Sequence, residues 1–327
     1  MIRPVRLPGT ELEASCLGFG CASLGSRISA RAGLAALARA HEAGVTWFDV
    51  APAYGAGEAE GILGRFLAGR REGVSILTKA GLAPPSARPL LRAAYAAARP
   101  LLGLARGLRK RARQIRATSN RALDITPDLV ERSIARSLTR LGTDHVEVLA
   151  LHDPDPRTVE DDAVIRALER VVARGQARHV GVAGGLEACL SGTRTGLPYT
   201  FFQVAVRPGT NDLAAIRDRA GRPVSVIGHS VLGVVGAKEA IVTRLREDAA
   251  ARQALAAAGY DADDLETSVA TLLLDAALAA NPTGVTLVSM FQASHLAQNV
   301  ARAGLPLREG SIAVLRKLAA ASGSSSS

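Results

Sequence analysis

Four polar side chains stand at the ends of otherwise apolar runs: Asp49 and Tyr54 in FDVAPAYG, Lys79 closing ILTK, and His152 closing LALH. A phenol, an ammonium, a carboxylate and an imidazole form a set suited to moving a proton to or from a carbonyl oxygen. A free tyrosine has a pKa of about 10, too high to exchange protons readily near neutrality. A neighbouring ammonium favours the phenolate and lowers that value, and a carboxylate keeps the ammonium in place and charged. An imidazole N–H can bond the same oxygen and fix the face that it presents. Each residue also has an ordinary reading: a helix cap, a loop anchor, a solvated amine, a satisfied core imidazole. What separates the two readings is whether the fold brings all four to one place.

The elements that must position them alternate along the chain. Strand-like runs fall at 17–20, 45–50, 74–79, 146–152, 179–184, 199–204, 223–230 and 285–289, several continuous in apolar or β-branched residues. Helical spacing of apolar residues fills 30–43, 57–68, 127–140, 159–173, 211–219, 262–280 and 293–303. Thr126-Pro127 opens one helix, and Asn281-Pro282 follows the end of another. Eight strands alternating with helices predict an α/β fold, a single (β/α)8 TIM barrel, in which functional side chains gather at the C-terminal strand ends. No Gly-rich GxGxxG turn follows the first run, so no separate dinucleotide domain is expected. The opening IRPVRLPGTELEAS, with a central Pro-Gly-Thr, predicts an N-terminal β-hairpin. The barrel is expected over 1–320, with a basic helical insertion at 80–123 after strand three. Residues 321–327 read as a flexible tail.

With the motifs laid out, the chain resembles the aldo-keto reductase family over nearly its whole length. WFDVAPAYGAGEAEGILG (47–64) is similar to the family's Asp-x-x-x-x-Tyr-Gly signature, including the Glu60 and Leu63-Gly64 that follow. ILTKAG supplies the lysine, LALHDPD the histidine, and LPGTELEASCLGFG resembles the family's leading hairpin. The resemblance implies an NAD(P)-dependent oxidoreductase acting on a carbonyl or alcohol. It makes Tyr54 the general acid, Lys79 and Asp49 the pair that tunes it, and His152 the group that orients the carbonyl. It also implies cofactor contacts from Gln203, His229, Ser230, Leu232, Gly233, Ser289, Gln292, His295 and Asn299. No metal ligands are implied.

The cofactor groove departs from the family pattern. Ala183-Gly184 stand where Ser-Asn usually holds the nicotinamide carboxamide, and His229 replaces the usual stacking aromatic. The stretch 289–299 holds no Lys or Arg to pair with a 2′-phosphate, so NAD(H) stands beside the family's NADP(H). The tryptophan common after strand one is absent, where Cys21-Ala22 stand, which predicts a less aromatic pocket. Asp153, after the histidine, would make that pocket more polar, or it starts the Asp-Pro-Asp-Pro turn, the reading favoured from sequence.

Charge is concentrated in one segment. The 40 basic and 30 acidic residues leave +10, and Ala80 to Leu123 holds ten basic residues and no acid. This segment borders the expected opening and suits an anionic small molecule or, as an alternative, an acidic protein surface. With one aromatic and no recognition motif, it does not support nucleic-acid binding. No apolar run is long enough to span a bilayer, and the N-terminus has no apolar signal core. Three scattered cysteines form no disulfide framework, which fits a cytoplasmic protein. Two rivals to the redox reading are a non-catalytic cofactor-binding subunit and a redox-neutral lyase or epimerase on the same fold.

Overall fold

The structure, a computed structural model, describes residues 1–84, 120–232, 236–308 and 310–320. The helical spacing read within 85–119, Gly233 and the tail 321–327 lie outside the described residues. The chain opens with the expected hairpin, β1 (Pro4–Arg6) paired antiparallel with β2 (Glu13–Ser15). Strands β3 (Leu17–Gly20), β4 (Trp47–Asp49) and β5 (Ser75–Ala80) follow, then a small antiparallel pair, β6 (Leu82–Ala83) and β7 (Arg121–Ala122). Strands β8 (Val146–His152), β9 (Ala177–Ala183), β10 (Phe201–Ala205), β11 (Ser225–His229) and β12 (Val285–Val288) complete the set. The eight strands β3, β4, β5 and β8 to β12 form a closed parallel barrel in that order, with β12 pairing back onto β3. All eight expected runs are barrel strands.

Helices cover the outside. They are α1 (Ala30–Glu42), α2 (Ala59–Leu67), α3 (Pro127–Leu141), α4 (Pro156–Glu160), α5 (Asp162–Ala173) and α6 (Leu186–Gly192). The second half adds α7 (Asp212–Ala220), α8 (Ala237–Glu247), α9 (Ala249–Ala257), α10 (Leu265–Ala280), α11 (Ala293–Ala303) and α12 (Gly310–Ala320). Their ends follow local chemistry. Ser29 caps α1 by accepting from the Ala32 amide. Thr126 caps α3 with Pro127 in its first turn, and Gly142, at φ 66°, ends it in the left-handed conformation. Helices α6, α8, α9 and α12 have no counterpart in the sequence expectation.

The barrel has a filled lower half and an open upper rim. Side chains alternate along a strand, so the face that carries Asp49 at the top of β4 carries Trp47 below it. Trp47 stacks on Phe201 of β10 with ring centroids 5.7 Å apart, and both are fully buried. The hairpin closes the end below them. Leu7 is wholly buried, and Ser225, the first residue of β11, donates its hydroxyl to the Pro8 carbonyl at 2.9 Å. Burying rings of this size contributes about 2–3 kcal/mol each. The lower half therefore holds the strand tops in register.

Candidate active site

Three consecutive strands carry the polar tops. In the parallel register Asp49 of β4 lies beside Leu77 of β5, two residues below Lys79, and Lys79 pairs with Ala150 of β8, two below His152. Tyr54 arrives from the loop after β4. The chain there turns through Gly55 at φ 60°, where a Cβ would come within 1.6 Å of the Leu24 carbonyl oxygen. Only glycine permits that approach, and it clamps the loop against the segment after β3.

The sequence expectation that these four residues meet is met by the geometry. Lys79 Nζ donates to Asp49 Oδ2 at 2.7 Å, to the Val50 carbonyl at 3.3 Å and to the Tyr54 hydroxyl at 3.3 Å. It also lies 4.9 Å from the Tyr54 ring centroid. The His152 ring meets the Tyr54 ring edge-on, with centroids 5.7 Å apart. All four line a cavity of about 500 Å³ at the barrel rim.

Burial dominates the electrostatics. It pushes the Tyr54 phenol up to about 12, against the pull of the Lys79 ammonium. The downward pull of the ammonium expected from the residue types is present, but desolvation outweighs it. Tyr54 is consequently a protonated donor near neutrality. Burial also opposes charge on Lys79, yet Asp49 and Tyr54 overcome it and hold the ammonium above the ordinary lysine value. For His152, burial and then the Lys79 charge drive the pKa well below the usual histidine range. His152 is thus neutral, with one ring nitrogen a donor and the other an acceptor.

The opposite wall comes from the second half of the barrel. Gln203, His229, Ser230, Leu232 and Ser289 line the cavity, together with Ala183 and Gly184. Gln203 is buried and its Oε1 has no hydrogen-bond partner among the described residues. His229 bonds its Nδ1 to the Ser230 hydroxyl at 2.9 Å, and Ser230 has φ 60°. Gln292, His295 and Asn299 do not line this cavity; Gln292 is the N-cap residue of α11, and the other two lie on the helix.

Two features escaped the sequence. Arg27, in the loop after β3, lines the cavity and donates to the Ser23 hydroxyl at 2.6 Å. In the sequence it is a cation two residues after Gly25, with no motif around it. Arg39 of α1 reaches the Phe291 carbonyl at 3.2 Å, which places a cation against the loop after β12. The sequence of that loop contains none. Asp153 stands at the start of the Asp-Pro-Asp-Pro turn and also lines the cavity, while Asp155 of that turn caps α4 by accepting from the Thr158 amide.

Comparison with known proteins agrees with this architecture. The profile of the aldo/keto reductase family matches residues 16–320. The chain belongs to that family. It is 32% identical over 143 residues to 6-dehydroglucose reductase of Agrobacterium fabrum, covering 43% of this chain and 39% of that protein. It is 31% identical over 190 residues to D-threo-aldose 1-dehydrogenase of a Pseudomonas species, covering 55% and 53% respectively. The matches therefore span about half of these relatives' length or less. A Klebsiella pneumoniae aldo-keto reductase solved with NADPH superposes with TM-score 0.65 and 20% identity over 98% of this chain and 95% of its own. That likeness is one of fold.

Proposed function

We propose that this aldo-keto reductase is a nicotinamide-dependent oxidoreductase that interconverts a carbonyl and an alcohol, with Tyr54 as the acid–base group. The observation that carries the reading is Lys79, held between Asp49 at 2.7 Å and the Tyr54 hydroxyl at 3.3 Å beneath an open cavity. In the direction of reduction, Tyr54 gives its proton to the carbonyl oxygen. Lys79 stabilises the phenolate left behind, and Asp49 keeps Lys79 charged. His152, being neutral, donates from one ring nitrogen to the same oxygen and sets its orientation. A bound nicotinamide dinucleotide supplies or accepts the hydride. Hydride plus proton converts carbonyl to alcohol, and the reverse path returns the proton to Tyr54.

The wall fits such a cofactor. The buried Gln203 Oε1 needs a donor, which a carboxamide NH2 provides, and a buried acceptor left unbonded costs about 1–3 kcal/mol. NADP(H) is the cofactor we favour, with Arg39 as the nearby cation that the stretch 289–299 lacks; NAD(H) is the competitor.

The substrate class we propose is a small sugar or related polyol. Two relatives are by name a dehydroglucose reductase and an aldose dehydrogenase. The cavity also offers several polar groups that can bond hydroxyls, including Asp49, Tyr54, His152 and Arg27. Mixing the protein with reduced cofactor and aldehydes or dehydro-sugars tests the reading. Consumption of one reduced cofactor per carbonyl supports it and excludes both a non-catalytic subunit and a redox-neutral enzyme. Absence of turnover in both directions across an aldose panel would sink it.

A further inference from the structure

The cavity holds a carboxylate that the mechanism above does not use. Asp153 directly follows His152 at the end of β8, and His152 pairs with Ala183 at the end of β9. One step beyond that pair, the two chains stay in contact: the Asp153 amide donates to the Ala183 carbonyl at 2.7 Å. Asp153 has φ 49°, a left-handed backbone uncommon outside glycine, asparagine and aspartate. A Cβ at position 184 would come within 3.1 Å of Asp153 Cα and 3.3 Å of its Oδ1. Glycine at 184 and the turned-in aspartate are therefore one arrangement. The carboxylate takes the room that a side chain at 184 would need. Among the described residues it has no hydrogen bond or ion pair, and it opens onto the cavity beside Gly184 and Gln203.

We propose that Asp153 is a cofactor-positioning residue that accepts from the nicotinamide carboxamide and, by its charge, makes the protein bind the oxidised dinucleotide more tightly than the reduced one. The inference rests on the nicotinamide reading above. Ala183 and Gly184 have no side-chain hydrogen bonds to give that wall, and Gln203 alone supplies a buried acceptor. A second acceptor next to Gln203 is what a carboxamide NH2, with its two hydrogens, requires. The chemistry differs from that of a neutral partner in one respect. The oxidised nicotinamide ring carries a positive charge that the reduced ring lacks, and a carboxylate on the wall discriminates between them. Asp153 is exposed toward the cavity, and the partial desolvation it feels there raises its carboxyl above the usual value against the pull of the Lys79 ammonium.

The test is binding rather than turnover. Dissociation constants for the oxidised and reduced dinucleotide are measured by protein fluorescence or calorimetry at neutral pH, on the wild type and on Asp153→Asn. Asparagine tolerates the left-handed backbone and keeps one acceptor oxygen, so the variant removes the charge and turns the other oxygen into a donor NH2. The wild type should favour the oxidised form by about fivefold or more, and Asp153→Asn should remove most of that preference, the size expected for a partly screened charge pair. A ratio unchanged by the substitution overturns the proposal while leaving the nicotinamide reading intact. So does an equal weakening of both forms, which would make Asp153 a wall residue only. A wild-type protein that binds neither dinucleotide overturns both.

Discussion

The Lys79 ammonium and the Asp49 carboxylate lie 2.7 Å apart with side chains only 1% and 4% exposed, so each is the reason the other can be charged inside the barrel. Burying either ion alone costs several kcal/mol, and losing one partner of such a pair typically costs about 3–5 kcal/mol. Asp49→Asn should therefore destabilise the fold by an amount in that range, although it sits at the rim and preserves shape. Chemical denaturation of the two proteins measures this. A loss below about 1 kcal/mol would mean that water reaches Lys79 far more freely than its burial indicates.

Tyr54→Phe keeps the ring against His152 and Lys79 but removes the proton donor. Turnover should fall by about 100-fold or more, while cofactor affinity stays within a factor of about three. Single-turnover kinetics with a saturating carbonyl substrate isolate the chemical step. An unchanged rate there would assign the proton to another group.

Acid should destabilise the protein through its buried imidazoles. His152 and His229 both have pKa values lowered by burial, His152 the more strongly. Above the unfolded value of about 6.5 both states hold them neutral, and no effect arises. Below it the unfolded chain takes protons that the folded one refuses, so stability falls as pH drops from about 6.5 toward the depressed folded values. The slope is at most about 1.4 kcal/mol per pH unit for each histidine. Thermal unfolding of His152→Gln between pH 7 and 5 should show a shallower decline than the wild type. Parallel slopes would show that His152 titrates normally.

Cofactor selectivity offers a fourth measurement. The loop after β12 has no cation of its own, and Arg39 approaches it from α1 while bonded to the Phe291 carbonyl. An engaged guanidinium at the edge of the site should favour NADPH over NADH by only about tenfold, short of what a bidentate phosphate contact yields. Titration of the apo protein with each dinucleotide gives the ratio, and Arg39→Gln should bring it close to one. A ratio that survives the substitution would place the selecting group elsewhere.

Much of this arrangement could be read from the chain because its signals are local. The eight strands are short apolar runs with clear borders, and the tops of three of them end in a residue out of character with its run. One of the helices that went unread has no readable period. AAARQALAA in α9 is small and apolar at nearly every position, so no face stands out. α12 lies beyond the last strand, where alternation no longer predicts an element. The Asp153–Gly184 contact was invisible for a different reason: it joins residues 31 positions apart through the β8–β9 register, which no single-sequence pattern encodes. Arg39 beside Phe291 is hidden in the same way. The phenol's pKa was misjudged in its net direction because charge partners can be named from sequence, whereas burial has to be seen.

The small β6–β7 pair has a consequence of its own. Leu82 faces Ala122 and Ala83 faces Arg121, so the chain leaves the rim and returns to it at adjacent points. That pairing brings the two ends of the interval between them together. Nine of the ten basic residues that set the protein's net charge belong to that interval. Because doubling a loop costs only about 0.6 kcal/mol, its length can drift at little thermodynamic expense. A change of sequence in that interval would therefore alter the net charge of the whole molecule, while Asp49, Tyr54, Lys79 and His152 lie outside it.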